Sequence, residues 1–511
     1  MPETLVGELA RMQEEVKKAA IEYGLDFFEV IFEMVDYDEM NMIAAYDGFP
    51  ARYPHWRYGM EYEKLSKTHT YGLQRIYELV INNDPSYAYL LSSNTLTDHK
   101  LVMAHVYAHS DFFKNNAFFA HTNRKMLDQM FSHAERIKTY MDRFGVERVE
   151  SFIDWCLSID NLIDYYALPD MRKRTEKEDE ADKEKARKLR FRAKDYMESF
   201  INPSLSIKRI TEEEEVDKET RKRIKIPRHP ERDVMLFLME YAPLEDWQRS
   251  IMGMLREEAY YFVPQMMTKI MNEGWATYWH SKIMTERLLS ETEVVDYAER
   301  HSGTVATMPG MVNPYKIGLE LYRYIEERWD KGRFGKEWEE CDDLEARRTW
   351  DKKLGLGRSK IFEVRRVCND ISFIDEFLTE EFAEEQKLFV YGFDPSTRRF
   401  VILDRNPKLV KTKLLTALTN CGQPYIYLED ANYKNRAELY LVHRHFGIDL
   451  KVDYAMETLR NLFKIWTRPV HIETAVRGKR ILISFDGKEH KQEVLGEAET
   501  EYIGGEEEEN Q

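Results

Sequence analysis

Residues 235–289 read MLFLMEYAPLEDWQRSIMGMLREEAYYFVPQMMTKIMNEGWATYWHSKIMTERLL, and this stretch decides the expected fold. Apolar side chains recur in it at helical spacing, and Pro264 is expected to kink or end one helix. The same helical spacing of apolar residues occurs over residues 4–24 and most of residues 60–170. The sequence therefore predicts a large, mainly α-helical domain over residues 1–385.

The sequence pattern changes near residue 386, where short runs of β-branched and aromatic residues replace the helical spacing. One pair of runs surrounds a turn at Asp394, and a second pair, VHIETAV and RILISF, surrounds Arg477 as a hairpin. These features predict a C-terminal α+β domain over residues 386–495. Helices are expected within it at residues 409–418, 434–446 and 454–466.

Composition excludes several classes of protein. Asp and Glu outnumber Lys and Arg by 92 to 75, a net charge of −17, so we expect no nucleic-acid partner. No run of about 18 apolar residues occurs, so no membrane span is predicted. The lack of a secretory signal and four scattered cysteines predict a cytoplasmic location. Two charge-rich segments, residues 172–225 and 496–511, are expected to be a solvated excursion and a disordered tail.

Two histidines form the first candidate metal-binding feature. The segment LVMAHVYAHSDFFKNN, residues 101–116, places His105 and His109 four residues apart. On a helix this spacing puts both imidazoles on one face, where they can bind a single ion. Their neighbours are apolar, and buried imidazoles are costly unless they are hydrogen-bonded or ligating. Two ordinary surface histidines are the alternative, and His121, twelve residues later, is a weaker candidate ligand.

Glu273 is the third predicted ligand. It lies in MNEGWATYWH, residues 271–280, among aromatic side chains where an unpaired carboxylate would be costly. Two histidines and one glutamate with an open fourth position form a catalytic zinc set, although other divalent ions suit the same donors. An ion pair of Glu273 with Lys269 or Arg287 is the alternative.

Two further residues are candidate catalytic groups. Glu258 is predicted to be the general base that acts on a metal-bound water, and His280, two helical turns beyond Glu273, the general acid. A surface position is the alternative for Glu258. Since the chain has no phosphate-binding glycine loop, no GxSxG elbow and no catalytic cysteine signature, nucleotide, serine and thiol chemistry are disfavoured.

The segment NEGWATYW, residues 272–279, resembles the NEGFASY segment of gluzincin zinc aminopeptidases. In that class the glutamate after the asparagine is the third zinc ligand, and an HExxH helix supplies the first two. Here His105 and His109 keep the ligand positions, but Val106 stands where the catalytic base is expected. The resemblance therefore implies a metal site without ordinary aminopeptidase chemistry.

A broader resemblance, over roughly residues 5–475, is to the SpoVR family (stage V sporulation protein R and its relatives). It is carried by RYPHWR, AHVYAHSDFFKNN, YAPLEDWQR, REEAYYFVPQMMTKIMNEGWATYWH and LRNLFKIWTRPVHIET. The resemblance implies a cytoplasmic bacterial protein linked to peptidoglycan of the spore cortex. It also implies a PrkA-type serine kinase and a von Willebrand A-like protein as partners, because their genes commonly neighbour those of the family.

Three functional hypotheses follow. The first is a metal-dependent hydrolase that acts on an amide of a peptidoglycan-type intermediate, with zinc held by His105, His109 and Glu273. The second is a non-enzymatic adaptor in which the metal or an ion-pair network holds the helical body together, while the charged excursions and the C-terminal domain bind the kinase complex. A di-iron carboxylate protein is the third, and it is disfavoured because paired Glu-x-x-His motifs are missing.

Overall fold

The computed structural model describes residues 3–4, 7–70, 78–167, 225–308 and 310–498. Nearly all of the predicted charged excursion and most of the predicted acidic tail lie outside these residues. The chain forms two compact units, each built from two stretches: residues 1–139 with 261–418, and residues 140–260 with 419–511. The contiguous domain limits expected from the sequence remain a prediction.

Helices dominate the first two-thirds of the described chain. They are α1 (Glu8–Glu22), α2 (Tyr37–Ala45), α3 (Trp56–Thr70), α4 (Leu96–Asn115), α5 (Met126–Phe144), α6 (Val146–Leu157), α7 (Val234–Tyr241), α8 (Asp246–Met267), α9 (Lys269–Ile283), α10 (Val294–Thr304), α11 (Pro314–Asp330), α12 (Lys336–Glu339), α13 (Leu344–Thr349), α14 (Gly357–Val367), α15 (Asp370–Phe377), α16 (Glu380–Glu385), α17 (Pro407–Leu418) and α18 (Val452–Trp466). Pro264 lies inside α8, three residues before its end.

The strands form three sheets. They are β1 (Glu3–Thr4), β2 (Val30–Val35), β3 (Leu79–Ile81), β4 (Ser86–Leu91), β5 (Val390–Asp394), β6 (Arg399–Asp404), β7 (Tyr425–Tyr433), β8 (Glu438–Arg444), β9 (Val470–Val476), β10 (Lys479–Phe485) and β11 (His490–Glu497). The first unit contains a sheet of order β1-β2-β4-β3, with β2 and β4 parallel, and the hairpin β5-β6. The second contains a sheet of order β11-β10-β9-β8-β7, in which only β8 and β9 are parallel among the described strands.

The predicted fold class, a mainly α-helical protein with a C-terminal α+β region, is confirmed. The hairpin expected at Arg477 is β9-β10. The helix predicted at residues 434–446 is wrong, because Glu438–Arg444 is a strand paired on both sides. Its buried positions alternate with less buried ones, which is the period of a strand rather than of a helix.

Helix α9 lies at the centre of the first unit and packs against α4 and α11. A Cβ atom at Gly274 of α9 would overlap the backbone of Gly318 in α11, and the reverse also holds. Because only glycines permit so close a crossing, they explain why a residue with poor helix propensity stands in the middle of α9. The crossing holds the residues beside Gly274, including Glu273, at a defined place in the core.

Among the described residues, none of the helices combines the length and the apolar composition that crossing a bilayer requires.

Candidate metal centre

Helix α4 carries His105 and His109 into the interior of the first unit. A capping box between Thr95 and Asp98 begins the helix, and nearly every side chain from Thr97 to Phe113 is buried. Because the helix is covered on nearly all sides, most of its polar side chains have little contact with water. His105 is fully buried, and His109 lies one turn further along the same face with its ring centroid 4.5 Å from that of His105.

Helix α9 presents Glu273 to these imidazoles. The buried carboxylate of Asp370 accepts the backbone N–H groups of Ile270 (2.8 Å) and Met271 (2.9 Å), which otherwise would be unpaired at the start of α9. Further along, the Nε1–H of Trp275 donates to the buried Asp111 of α4 at 2.8 Å. The contact of Trp275 joins α9 directly to α4, while Asp370 and the glycine crossing fix α9 against α15 and α11.

The three predicted ligands converge. The Oε2 atom of Glu273 lies 3.7 Å from Nε2 of His105 and 3.6 Å from Nε2 of His109. Glu78 joins them, with its Oε2 atom 3.0 Å from Nε2 of His105. One donor atom from each of the four residues lies within 4.8 Å of all the others. This is the spacing of groups that can share one ion.

Sequence reasoning did not identify Glu78. The residue directly precedes the short strand β3 and belongs to no helical or ligand-spacing pattern. Only the pairing of β3 with β4 brings this part of the chain beside α4. No local signal in the sequence distinguishes Glu78 from the other glutamates of the chain.

Two polar atoms of the cluster are buried without a hydrogen-bond partner among the described residues. Among the described residues, Nε2 of His105 and Oε2 of Glu273 have no hydrogen-bond partner. The approach of Glu78 to His105 at 3.0 Å lacks the geometry of a hydrogen bond. A buried, unsatisfied polar group typically costs about 1–3 kcal/mol. A cation between the imidazole nitrogen and the carboxylate oxygen would satisfy both atoms.

The other imidazole nitrogens are engaged on the far side of the cluster. Nδ1 of His109 lies 2.9 Å from the side-chain oxygen of Asn272, so Nδ1–H donates and Nε2 keeps its lone pair. Nδ1 of His105 lies 2.8 Å from Nδ1 of His280, and Nε2 of His280 lies 3.2 Å from Nδ1 of His301. Partners of this kind orient the imidazole ligands of metal sites.

Burial shifts the ionisation of the cluster towards neutral groups. Burial, followed by the proximity of His109, lowers the pKa of His105 well below its usual value. Burial and, to a smaller extent, the nearby Glu273 carboxylate raise the pKa of Glu78 to about 8. The neutral form of His105 at pH 7 is the form that binds metals. A cation would favour the charged form of Glu78.

The two predicted catalytic groups are not members of the four-residue cluster. His280 is buried on α9 with both ring nitrogens close to other histidines, behind His105 as seen from the carboxylates. Glu258 is buried on α8 in the second unit, whereas the four-residue cluster belongs to the first. Their roles as acid and base stay predictions. His121, the weaker candidate ligand, is exposed and is not part of the cluster.

Comparison with known proteins agrees with the broader resemblance. The model of the family described as SpoVR like protein matches residues 3–423, a span that contains all four residues of the cluster. A curated relative, the uncharacterized protein YcgB of Escherichia coli (strain K12), is 31% identical over 328 residues, which is 61% of this chain. The match spans 62% of that relative's length. No solved structure matches the chain.

Proposed function

This chain belongs to the SpoVR family, and we propose that it is a metal-dependent hydrolase that acts on an amide of a peptidoglycan-type intermediate. One observation carries the proposal. His105, His109 and Glu273 lie close together, and Nε2 of His105 and Oε2 of Glu273 are buried without a hydrogen-bond partner among the described residues. The class of substrate rests on the link to the spore cortex that the family resemblance implies.

The donor set favours a catalytic ion. Structural zinc sites are usually built with cysteine ligands, whereas two histidines and a carboxylate are typical of hydrolytic zinc sites. The cluster contains imidazoles and carboxylates but no cysteine. Zinc is the ion we propose, and manganese or ferrous iron suits the same donors.

Access to the cluster is from the carboxylate side. The side chains of Glu78 and Glu273 are 14% and 18% exposed, whereas that of His105 is 0% exposed. A substrate carbonyl would therefore approach past the carboxylates, with the imidazoles forming the closed end of the site. Glu78 is the residue best placed to leave the ion or to shift its coordination when a substrate enters.

Each residue has a distinct task in this proposal. When bound, the ion would lower the pKa of a water molecule towards 7 and polarise the scissile carbonyl. His105, His109 and Glu273 hold the ion, and Asn272 orients His109. We assign to Glu78, the remaining carboxylate of the cluster, the acceptance of a proton from that water.

Metal content is the first test. We expect the purified protein to retain a stoichiometric divalent ion in elemental analysis, and His109→Ala and Glu273→Gln to lose it. His121→Ala removes an exposed histidine and is the matched control. Circular dichroism identifies any variant that fails to fold. A folded wild-type protein that binds no zinc, manganese or iron, even after incubation with each, would refute the proposal.

Hydrolysis is the second test. Peptidoglycan fragments with intact amide bonds are incubated with the metal-loaded protein, and the release of new amino groups is measured. We expect chelation to abolish the activity and the same ion to restore it. We also expect Glu78→Gln to lower the activity strongly. Glu258→Gln and His280→Gln enter the same assay, so that the base and the acid predicted from the sequence are compared directly with Glu78.

The presence of Glu78 also supports a second candidate. Four protein ligands with no open position are typical of a structural ion. In that case the chain would be an adaptor for a PrkA-type kinase and a von Willebrand A-like protein, and the ion would stabilise the helical body. A metal-loaded protein that is inert towards every amide substrate, yet binds either partner only when metal-loaded, would favour this function.

A further inference from the structure

Three imidazoles form a row that leads away from the candidate metal centre. Nδ1 of His105 lies 2.8 Å from Nδ1 of His280, and Nε2 of His280 lies 3.2 Å from Nδ1 of His301. The three residues belong to α4, α9 and α10. His105 and His280 are buried, whereas His301 is half-buried at the outer end of the row.

Each contact in the row needs one donor and one acceptor. A neutral imidazole carries a single N–H group, so the direction of one hydrogen bond sets the direction of the next. If Nδ1–H of His105 donates to His280, Nε2–H of His280 must donate to His301, and Nε2 of His105 is left with its lone pair. If the row runs in the opposite direction, Nε2 of His105 carries the proton and cannot bind a cation.

The neighbouring candidate ligand, His109, differs from His105 in what sets its tautomer. Asn272 presents an amide oxygen to Nδ1 of His109, and an oxygen can only accept. The tautomer of His109 is therefore fixed by its partner alone. His280 can accept or donate, so the tautomer of His105 depends on the second contact, the one with His301.

We propose that His280, held by His301, is the positioning residue that sets His105 in the tautomer able to bind the metal ion. The row then runs outward, from Nδ1–H of His105 to His280 and from Nε2–H of His280 to His301. His280 touches neither the ion nor the substrate in this arrangement. The inference rests on the metal-binding part of the proposed function and not on its chemistry.

The test is a titration of the metal-free protein with Co²⁺, followed by visible absorption, which reports both affinity and ligand geometry. His280→Leu removes the acceptor from His105, and we expect its affinity to fall about 10–100-fold, the usual effect of losing such a partner. His280→Gln returns an amide oxygen and should recover much of the loss. His301→Leu keeps His280 as the acceptor but leaves the tautomer of His280 free, so the loss of Co²⁺ affinity should be smaller.

His99→Leu is the matched control, because it removes another buried histidine of α4 that lies outside the cluster. It should bind Co²⁺ as the wild type does. Thermal unfolding of the metal-free variants separates a loss of fold from a loss of affinity. If the wild-type protein binds Co²⁺ and a folded His280→Leu binds it equally well, the inference is wrong while the metal site stands. If the wild type binds none, the proposed function fails first.

Discussion

Two buried histidines, one in each unit, have opposite surroundings. His471 lies in β9 of the second unit, with Nδ1 2.7 Å from Oγ of Ser484 and Nε2 2.9 Å from Oε2 of Glu438. Both nitrogens are satisfied by the protein. His105 in the first unit has one satisfied nitrogen, while the other faces two carboxylates without a hydrogen bond. The comparison shows that the protein satisfies both ring nitrogens of His471, whereas Nε2 of His105 has no hydrogen-bond partner among the described residues, and this difference is the reason we propose an ion beside His105.

The surroundings of His471 also show that connectivity alone does not make a catalytic site. Ser484, His471 and Glu438 are linked in the order of a serine hydrolase triad. Ser484, however, lies within β10 and is paired with His471 on one side and Lys491 on the other. Its backbone is committed to the sheet, so it offers no oxyanion hole. We interpret the trio as a cross-strand polar contact.

The largest expected difference concerns stabilisation by metal. At a free-ion concentration 1,000-fold above the dissociation constant, a ligand that binds only the folded state stabilises it by about 4 kcal/mol. We expect an effect of this size when zinc is added to the metal-free wild-type protein, and none for His105→Leu. Chemical denaturation with and without zinc measures it. Equal stabilisation of both proteins would contradict the role of His105.

A smaller effect is expected at His471. The substitution His471→Leu leaves Ser484 without its partner and removes one contact of Glu438, which keeps Arg436 at 2.7 Å. A lost buried hydrogen bond of this kind costs about 1–3 kcal/mol. We therefore expect lower stability in denaturant but an unchanged metal content. A variant that lost its metal would show that the two histidines are not independent.

The third effect concerns pH, and it is the smallest only when it is compared over a single pH unit. The pKa of Glu78, about 8 in the folded metal-free protein, exceeds its usual value of 4.5 because of burial. Between these values the folded protein holds a proton that the unfolded chain releases, so its stability falls as pH rises. The slope is at most about 1.4 kcal/mol per pH unit.

Glu78→Gln isolates this contribution, because glutamine stays neutral. The free energy of unfolding of the wild-type protein, relative to the variant, should decline as pH rises from about 5 to about 8 in a chelating buffer. Denaturant titrations at successive pH values measure it. Parallel curves for the two proteins would mean that Glu78 is ionised throughout and that the cluster is less closed to water.

Parts of the molecule with local patterns were predictable. The i, i+4 spacing placed His105 and His109 on one helical face, and the aromatic surroundings of Glu273 marked it as a carboxylate in need of a cation. The strand Glu438–Arg444 was mistaken for a helix because a short apolar run with interspersed polar residues fits both periods. The sheet that contains β2 and β4 was not predicted.

What the sequence determined by itself is the mainly helical class and the two motifs that carry the candidate ligands, because helical periodicity and residue spacing are local properties of a chain. The tertiary structure alone decided how closely α4 and α9 approach, that Glu78 joins them, and that His280 stands behind His105. These contacts arise from the packing of α9 on α4, where Trp275 donates to Asp111, and from the pairing of β3 with β4. Such long-range contacts depend on which surfaces exclude water from one another, and no short stretch of sequence records that.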